Sequence, residues 1–188
     1  NGVLIPAQIG NSFIPPTATI GTTYYYCVVS QSGVGCSVTS ATAAVTVVPA
    51  PAITTQPQSV TVCEGSTLSP LTVAYTNGTG TATYQWFDLT GPIAGATSAT
   101  YTPSNTTSNT YYCVITFSSG GCTSVTSDSA VVTINPLPTI DNQPLSTQSI
   151  CVGGSISALT VSYTGGVGTP TYQWYSNTTN TTSGGIAV

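Results

Sequence analysis

The sequence has almost no charged side chains. Of its 188 residues only 2% are Asp, Glu, Lys or Arg, against about 25% in an average globular chain. It contains no Lys, Arg or His, and its four acidic residues are Glu64, Asp88, Asp128 and Asp141. Nucleic-acid binding depends largely on Lys and Arg contacts to phosphate, and anionic membranes attract polybasic segments. The composition therefore predicts that no nucleic acid is a partner.

Catalytic side chains are equally scarce. Without His, the chain lacks the usual proton-transfer group at neutral pH, and Ser–His–Asp or Cys–His arrangements cannot be assembled from its residues. Four scattered carboxylates do not provide an acid–base pair. Six cysteines without a C-x-x-C pair or a His do not resemble a zinc site. We therefore expect no enzymatic activity, no cofactor and no bound metal.

Long apolar runs are also absent. No segment approaches the ~20 apolar residues that a membrane-spanning helix needs, so we expect no membrane insertion. The apolar residues come in short alternating bursts, separated by Thr, Ser, Gly, Asn and Pro, and a hydrophobic content of 40% is sufficient for a folded core. The sequence has no Met and no signal peptide. We interpret it as a window on a longer polypeptide.

The sequence repeats itself with a period of 86–88 residues. The recurring motifs are Tyr84-Gln85-Trp86 and Tyr172-Gln173-Trp174, Cys63-Glu64-Gly65 and Cys151-Val152-Gly153, and Tyr25-Tyr26-Cys27 and Tyr111-Tyr112-Cys113. This period is too long for a solenoid coil or a propeller blade. It is close to the size of one sandwich domain, which has about 100 residues in the immunoglobulin case.

The period predicts one complete repeat and two partial ones. Residues 53–139 form the complete repeat, 1–52 the C-terminal half of a first repeat, and 140–188 the N-terminal half of a third. No stretch has a helical period. The strands predicted from alternation and turn signals in the complete repeat are 58–63, 67–76, 82–88, 97–102, 110–117 and 122–134. Short strands at regular spacing favour a two-sheet sandwich.

Two positions resemble immunoglobulin-like domains. Trp86 on the third strand and Tyr111-x-Cys113 near the start of the sixth match the buried Trp and the tyrosine corner of that fold. The second strand departs from the pattern, because Val73 and Ala74 stand where an antibody domain has its first Cys. The expected fold is all-β, with tandem immunoglobulin-like antiparallel β-sandwich domains, and Trp86, Trp174 and Tyr111 are expected in the cores.

A narrower resemblance is to the immunoglobulin-like repeats of giant Bacteroidetes surface adhesins. The matching segments are Val62-Cys63-Glu64-Gly65, Tyr84-Gln85-Trp86, Ala94-Gly95-Ala96-Thr97, Tyr24-Tyr25-Tyr26-Cys27 and Gly121-Cys122. The resemblance implies a non-catalytic structural and adhesive segment of a long secreted filament, such as a gliding-motility adhesin exported by the type 9 secretion system. It implies an extracellular location at the cell surface. The implied partners are neighbouring repeats, surface polysaccharide or substratum, and the secretion machinery during export.

Similar repeats also serve as spacers in secreted enzymes. The alternative function is therefore an immunoglobulin-like spacer or carbohydrate-binding module of a secreted polysaccharide-degrading enzyme, with catalysis elsewhere in the parent chain. Dozens of similar repeats in the parent would favour the adhesin. A catalytic domain within one or two repeats would favour the spacer.

The cysteines indicate an oxidising compartment and structural disulfides. The candidate disulfide residues are Cys27, Cys36, Cys63, Cys113, Cys122 and Cys151. With Phe117 opposite Cys122 in the predicted hairpin, Cys113 lies too far along the ladder to bond Cys122. Cys63 then has two possible partners. Sandwich topology suits Cys113, whereas the resemblance, through its Val-Cys-x-Gly and Gly-Cys motifs, implies Cys63–Cys122, the pairing we favour, with Cys113 as a small buried hydrophobe.

One modification site is also implied by resemblance. Asp128-Ser129-Ala130 is similar to the O-glycosylation motif of exported Bacteroidetes proteins. Ser129 is therefore a candidate for O-glycosylation.

Overall fold

The computed structural model describes residues 3–6, 8–33 and 35–188. Eighteen strands lie in this part of the chain. The described residues include no helix that is long and apolar enough to cross a membrane.

The strands are short, and most of them lie in the complete repeat. In chain order they are β1 (Gly21–Tyr25), β2 (Val28–Ser30), β3 (Ser37–Thr39), β4 (Ala43–Val47), β5 (Ala52–Thr55), β6 (Val60–Cys63), β7 (Leu71–Thr72), β8 (Ala74–Thr76), β9 (Thr79–Asp88), β10 (Gly91–Pro92), β11 (Thr100–Tyr101), β12 (Asn109–Ser119), β13 (Ser124–Thr126), β14 (Ala130–Asn135), β15 (Thr139–Asn142), β16 (Ser162–Thr164), β17 (Tyr175–Ser176) and β18 (Ile186–Ala187).

Contacts between Cα atoms divide the chain into two compact units. Unit 1 comprises Asn1–Gln58, Pro70–Tyr101 and Tyr111–Ala130, and unit 2 comprises Ser59–Ser69, Thr102–Thr110 and Val131–Val188. The repeat boundaries at 1–52, 53–139 and 140–188 rest on the sequence period and stay a prediction.

Unit 1 contains two layers of strands. In the first layer β9 pairs antiparallel with β12, which places Trp86 opposite Cys113, while β10 pairs with β9 and β13 with β12. In the second layer β8 pairs with β5 and β7 with β11. Because β7 and β8 are separated only by Val73, they are two parts of one strand. The segment from Leu71 to Thr76 therefore joins both pairs of the second layer.

Aromatic side chains join the two layers of unit 1. Tyr75 on β8 lies 6.4 Å from Tyr84 and 5.0 Å from Phe117, measured between ring centroids. Tyr101 on β11 lies 5.9 Å from Trp86 and 5.4 Å from Tyr111. Each contact runs from the β7–β8–β11 layer to β9 or β12. The two sheets therefore pack face to face as a sandwich.

Strict alternation along β12 explains why this strand forms the centre of the core. Its four inward side chains are all buried: Tyr111, Cys113, Ile115 and Phe117. Tyr112, Val114 and Thr116 alternate with them and point to the other face. Fully burying one large apolar side chain stabilises a fold by about 1.5–3 kcal/mol, so one strand with this pattern contributes a large part of the core.

The described part of unit 2 includes a parallel strand pair that the sequence did not predict. β6 pairs with β14 in parallel register, with Val60 opposite Val132 and Cys63 opposite Asn135. The predicted sandwich was antiparallel throughout. The difference arises at Pro57, a buried residue without an N–H for a ladder. Before Pro57 the chain forms β5, which pairs with β8, and after it the chain forms β6, which pairs with β14.

The strand order is that of an immunoglobulin-like sandwich. In unit 1 one layer has the order β10-β9-β12, with β13 also paired to β12, and β5–β8 and β7–β11 form the other layer. The Trp lies on the third strand, and the Tyr-x-Cys motif lies on the sixth. The predicted all-β, immunoglobulin-like fold is confirmed.

The predicted hairpin register is wrong by one residue. Phe117 donates its backbone N–H to the carbonyl of Thr123 at 2.9 Å, so Phe117 lies opposite Thr123 rather than Cys122. The turn contains Gly120 and Gly121, which have φ angles of +88° and +74°. Glycine adopts this left-handed region without the steric cost that most other residues meet. The two glycines lengthen the turn beyond the tight connection that the sequence suggested.

The predicted core position of Trp174 is not met. Trp174 is 37% exposed, whereas Trp86 at the corresponding position is fully buried. Trp86 packs against Tyr101 on β11.

Candidate functional site

Trp86 has a structural environment. Its side chain is fully buried, and its indole N–H donates to the carbonyl of Ser98 at 2.8 Å. Its backbone N–H donates to the carbonyl of Ala96 at 3.0 Å. A ring with its polar atom satisfied and its faces buried cannot stack on a ligand. Trp86 therefore anchors the core.

The glutamine of each Tyr-Gln-Trp motif joins the two strands of a hairpin by hydrogen bonds from its side chain. The side-chain amide of Gln85 donates to the carbonyls of Trp86 and Ile93, both at 2.8 Å. The amide of Gln173 donates to the carbonyls of Trp174 and Val188, both at 3.0 Å. Sequence reasoning missed this role, although the glutamine that both Tyr-Gln-Trp motifs share was the available signal.

The Cys of each Tyr-Tyr-Cys motif belongs to a second recurring set of hydrogen bonds. The backbone N–H of Cys113 donates to the hydroxyl of Ser127 at 2.9 Å, and the N–H of Ser127 donates to the Cys113 carbonyl at 2.9 Å. The same two bonds join Cys27 and Ser40, both at 2.9 Å. The chain thus builds the same local structure twice, which is independent evidence that residues near 27 and 113 are equivalent.

The six candidate disulfide residues differ in exposure. Cys113 is buried and Cys122 half-buried, and the exposed ones are Cys27, Cys36, Cys63 and Cys151. Cys27, Cys63, Cys113, Cys122 and Cys151 carry free thiols in this structure. Val73 is also buried, at 2% exposure, so an apolar side chain occupies the place of the antibody cysteine. The pairing of Cys63 stays a prediction.

Raising the pH above 9 should destabilise the fold. Burial raises the pKa of the Cys113 thiol from 9.0 to about 11, and burial also raises the pKa values of Tyr84, Tyr101 and Tyr111 above 10.0. Since the folded pKa values exceed the unfolded ones, the stabilisation is fully present below pH 9 and is lost as the pH rises through about 11.

Urea unfolding at pH 8, 9.5 and 11 measures this effect. The free energy of unfolding should fall over the series, and Cys113→Val should reduce the fall because it removes the thiol while keeping an apolar side chain. An unfolding free energy that stays constant to pH 11 would contradict the prediction.

Ser129 is accessible between two fixed neighbours. It is exposed in the segment between β13 and β14, whereas Ser127 and Ala130 are buried. The backbone N–H of Asp128 donates to the side-chain carbonyl of Gln56 at 2.8 Å. The hydroxyl of Ser129 is thus exposed on a backbone segment that is fixed by a hydrogen bond at the preceding residue. Its O-glycosylation stays a prediction.

Two of the four carboxylates have local structural roles. Asp88 accepts hydrogen bonds from the N–H and the hydroxyl of Thr90, at 2.7 and 2.6 Å, in the turn between β9 and β10. Asp141 accepts one from the hydroxyl of Thr164 at 2.8 Å, across the β15–β16 pair. Among the residues that the structure describes, no group of three or more His, Cys, Asp or Glu side chains could hold a metal ion.

Aromatic residues recur on the outer face of the sheet. Phe87 and Tyr112 stack with their ring centroids 5.1 Å apart and their planes 7° from parallel. They alternate with the buried residues Trp86, Tyr111 and Cys113, so they face outward. Tyr26 corresponds to Tyr112 and Tyr175 to Phe87, and these two side chains are 51% and 64% exposed. Each repeat therefore presents an aromatic ring at this place.

Tyr175 lies beside a cavity of about 380 Å³. The cavity is lined by Tyr175, Asn177, Thr181, Thr182, Gly184 and Gly185. These residues form the strand end and the loop of the β17–β18 hairpin. Ligand sites are typically about 300–1,000 Å³, so the volume is sufficient for a small ligand.

Residues 52–136 match a family described as "Domain of unknown function (DUF8696)". No curated protein matches the chain. A solved structure described as "Sidekick-1 immunoglobulin domains 1-5" is similar at 18% identity and a TM-score of 0.40, over 70% of this chain and 30% of that chain. This chain thus spans less than a third of that one.

Proposed function

We propose that this chain is a non-catalytic structural and adhesive segment of a long secreted filament at the cell surface. The observation that carries the proposal is that each Pro-containing linker is held against the turn after the second strand of the following repeat. The two linkers are Pro49-Ala50-Pro51 and Pro136-Leu137-Pro138.

At the first linker the contact is a hydrogen bond. The side-chain amide of Asn77 donates to the carbonyl of Ala50 at 3.1 Å. Asn77 follows β8 and has a φ of +60°, a conformation that Asn adopts more readily than most residues. The turn conformation thus places its side chain where it reaches the linker.

At the second linker two glycines make the contact, in place of a side-chain hydrogen bond. Gly165 corresponds to Asn77, and Leu137 to Ala50. A Cβ atom added at Gly165 would lie 2.8 Å from the Leu137 carbonyl oxygen, and Gly166 approaches Pro138 in the same way. The linker and the turn are therefore in close contact at both junctions, although the residues that make the contact differ.

These contacts restrict the linkers. A linker held by the repeat that follows it loses most of the freedom that a Gly/Ser-rich linker retains. Restricted linkers limit bending between consecutive repeats, so that a chain of many repeats stays extended. A filament that carries an adhesive surface away from the cell requires this stiffness. Restricted linkers of this kind support a structural role.

The exposed chemistry supports adhesion through many weak contacts. The surface has few charges, so hydroxyl and amide hydrogen bonds and aromatic rings such as Tyr26 and Tyr175 are the available means of recognition. Such contacts are weak individually, and repetition along one chain sums them by avidity. The partner we propose is a surface polysaccharide or substratum, together with neighbouring repeats of the same chain.

Three further parts of the proposal rest on the sequence resemblance alone. The first is an extracellular location at the cell surface, and the second is export by type 9 secretion, with its machinery as a transient partner. The third is membership of a gliding-motility adhesin. The six cysteines support an oxidising compartment.

Deleting repeats from the parent gene tests the function. Removal of a whole number of 88-residue periods keeps the linkers and strand pairings in phase, so secretion should continue. The surface filament should become shorter and attachment weaker, each in proportion to the number of repeats removed, as seen by electron microscopy and by detachment under flow.

The control for this deletion is a parent of full length that carries a conservative substitution at an exposed position, such as Thr22→Ser. It should behave as the unaltered parent. Unchanged filament length and attachment after deletion would contradict the proposal and would favour the spacer of a polysaccharide-degrading enzyme.

A further inference from the structure

We propose that the β17–β18 hairpin of the third repeat binds an uncharged saccharide, with Tyr175 as the stacking surface and loop 177–185 as the polar wall. The inference rests on the proposed adhesive function and deepens it, because it names a site and a ligand class.

The hairpin loop is larger than its counterpart in the complete repeat. There, Asp88 pairs with Gly91 and the turn contains only residues 89–90. In the third repeat, Ser176 pairs with Ile186 and the loop contains residues 177–185. The equivalence of the two hairpins is fixed by the Gln85 and Gln173 bonds, which reach Ile93 and Val188 respectively. The third repeat therefore carries an insertion at the tip of this hairpin.

Asn177 holds the inserted loop in one conformation. Its side-chain amide donates to the hydroxyl of Thr181 and to the carbonyl of Ser183, both at 2.9 Å. Its side-chain oxygen accepts from the N–H and the hydroxyl of Thr179, at 3.4 and 3.3 Å. A loop that is ordered before binding loses less entropy when a ligand arrives. The cavity is thus preorganised.

The lining of the cavity suits a sugar ring. Tyr175 offers an amphipathic ring that is 64% exposed and can stack on the C–H face of a pyranose. The hydroxyl of Thr182 can exchange hydrogen bonds with sugar hydroxyls, whereas the hydroxyl of Thr181 donates to the carbonyl of Ser183 at 3.1 Å and helps to hold the loop. Gly184 leaves the backbone accessible to a ligand, because it has no side chain and a Cβ atom added there would have no neighbour within 4 Å.

The same lining disfavours other ligand classes. Phosphate and sulfate groups are usually bound through Lys and Arg, and the chain contains neither. Cations such as Ca²⁺ need several oxygen ligands, usually including carboxylates, and no Asp or Glu lines the cavity. An uncharged saccharide can stack on the ring of Tyr175 and can also form hydrogen bonds with the polar groups of the lining.

Titration of the full chain with defined oligosaccharides tests the site. The probes are hexasaccharides of β-1,4-glucose, α-1,4-glucose, β-1,4-mannose and β-1,4-xylose, with hexagalacturonate as the anionic comparison. Binding is measured by calorimetry and by two-dimensional NMR of the isotope-labelled protein. At least one neutral hexasaccharide should bind with a Kd of about 0.1–1 mM, as expected for one stacked ring and a few hydrogen bonds, and should shift signals of residues 175–185.

Variants assign the binding to this hairpin. Tyr175→Ala should weaken binding by about tenfold or more, and Tyr175→Phe should stay within about threefold, because it keeps the ring. Replacing residues 177–185 with the Leu89-Thr90 turn of the complete repeat should abolish binding. Tyr24→Ala is the matched control, since Tyr24 is a 67% exposed tyrosine on β1, and it should bind as the unaltered chain does.

Three results would overturn the site. They are the absence of binding by every neutral probe at 10 mM, unchanged affinity in Tyr175→Ala, and preference for hexagalacturonate. Each of them leaves the deletion experiment on the parent unaffected. A failure of this site is therefore distinguishable from a failure of the proposed structural and adhesive function.

Discussion

Replacing Trp86 with Ala should unfold the complete repeat, whereas Trp174→Ala should leave its stability nearly unchanged. Removing a buried Trp side chain costs about 3–5 kcal/mol through lost apolar contact and the cavity left behind. Trp86 is fully buried, and the change also leaves the Ser98 carbonyl without its indole donor, for which about 1–3 kcal/mol is typical. A domain of this size has a total stability of only about 5–15 kcal/mol.

Urea unfolding followed by near-ultraviolet circular dichroism measures this difference. The unaltered chain should unfold cooperatively, and Trp86→Ala should lose the transition or shift it to a much lower urea concentration. Trp174→Ala is a close control because both residues end a Tyr-Gln-Trp motif, but Trp174 is 37% exposed. Its cost should stay below about 1 kcal/mol. If the two substitutions lowered the free energy of unfolding equally, the assignment of Trp86 as buried and Trp174 as exposed would be wrong.

The core of the complete repeat was predictable from the sequence because its signal is local. Tyr111 and Cys113 on β12, and Trp86 on β9, belong to alternating patterns that a two-residue period specifies directly. The internal repeat also placed the Trp and Tyr-x-Cys motifs on the third and sixth strands, as observed. The positions of these residues therefore required no knowledge of long-range contacts.

Long-range pairings could not be read in this way. Nothing local to Val60 or Val132 indicates that β6 and β14 run parallel, since alternation specifies a face and not a partner. The exposure of Trp174 has a similar cause. Its sequence motif is that of Trp86, but burial depends on side chains distant in sequence, such as Tyr101.

The candidate binding site was hidden for a different reason. Residues 177–185 are Asn, Thr, Ser and Gly, a composition that indicates only a loop. Its order comes from the bonds of Asn177 to Thr179, Thr181 and Ser183. Such side-chain bonds depend on the exact path of the backbone. The available signal was the spacing between the Tyr-Gln-Trp motif and the next apolar strand, which is longer in the third repeat than in the second.

Stretching single molecules of the chain should release length in a discrete step. If residues 53–139 fold as an independent unit, their unfolding under force adds about 250–300 Å of contour length, at roughly 3.3–3.6 Å per residue. The sandwich of unit 1 should resist force because strands β9, β12 and β13 are joined by ladders that must break together. The measurement is made with reductant present, so that no disulfide limits the extension.

Omitting the reductant extends the same measurement to the cysteines. If Cys63 and Cys122 are bonded, the residues between them cannot extend, and the step should shorten by roughly 200 Å. A step of unchanged length without reductant would contradict that pairing while leaving the independence of the repeat intact.

The force measurement tests most directly the central claim, that the chain is a series of separately folded, immunoglobulin-like repeats which act by mechanical reach. We predict a step of about 250–300 Å that Trp86→Ala removes and Trp174→Ala preserves. A smooth extension without a step, or one step that releases the whole chain at once, would contradict the claim.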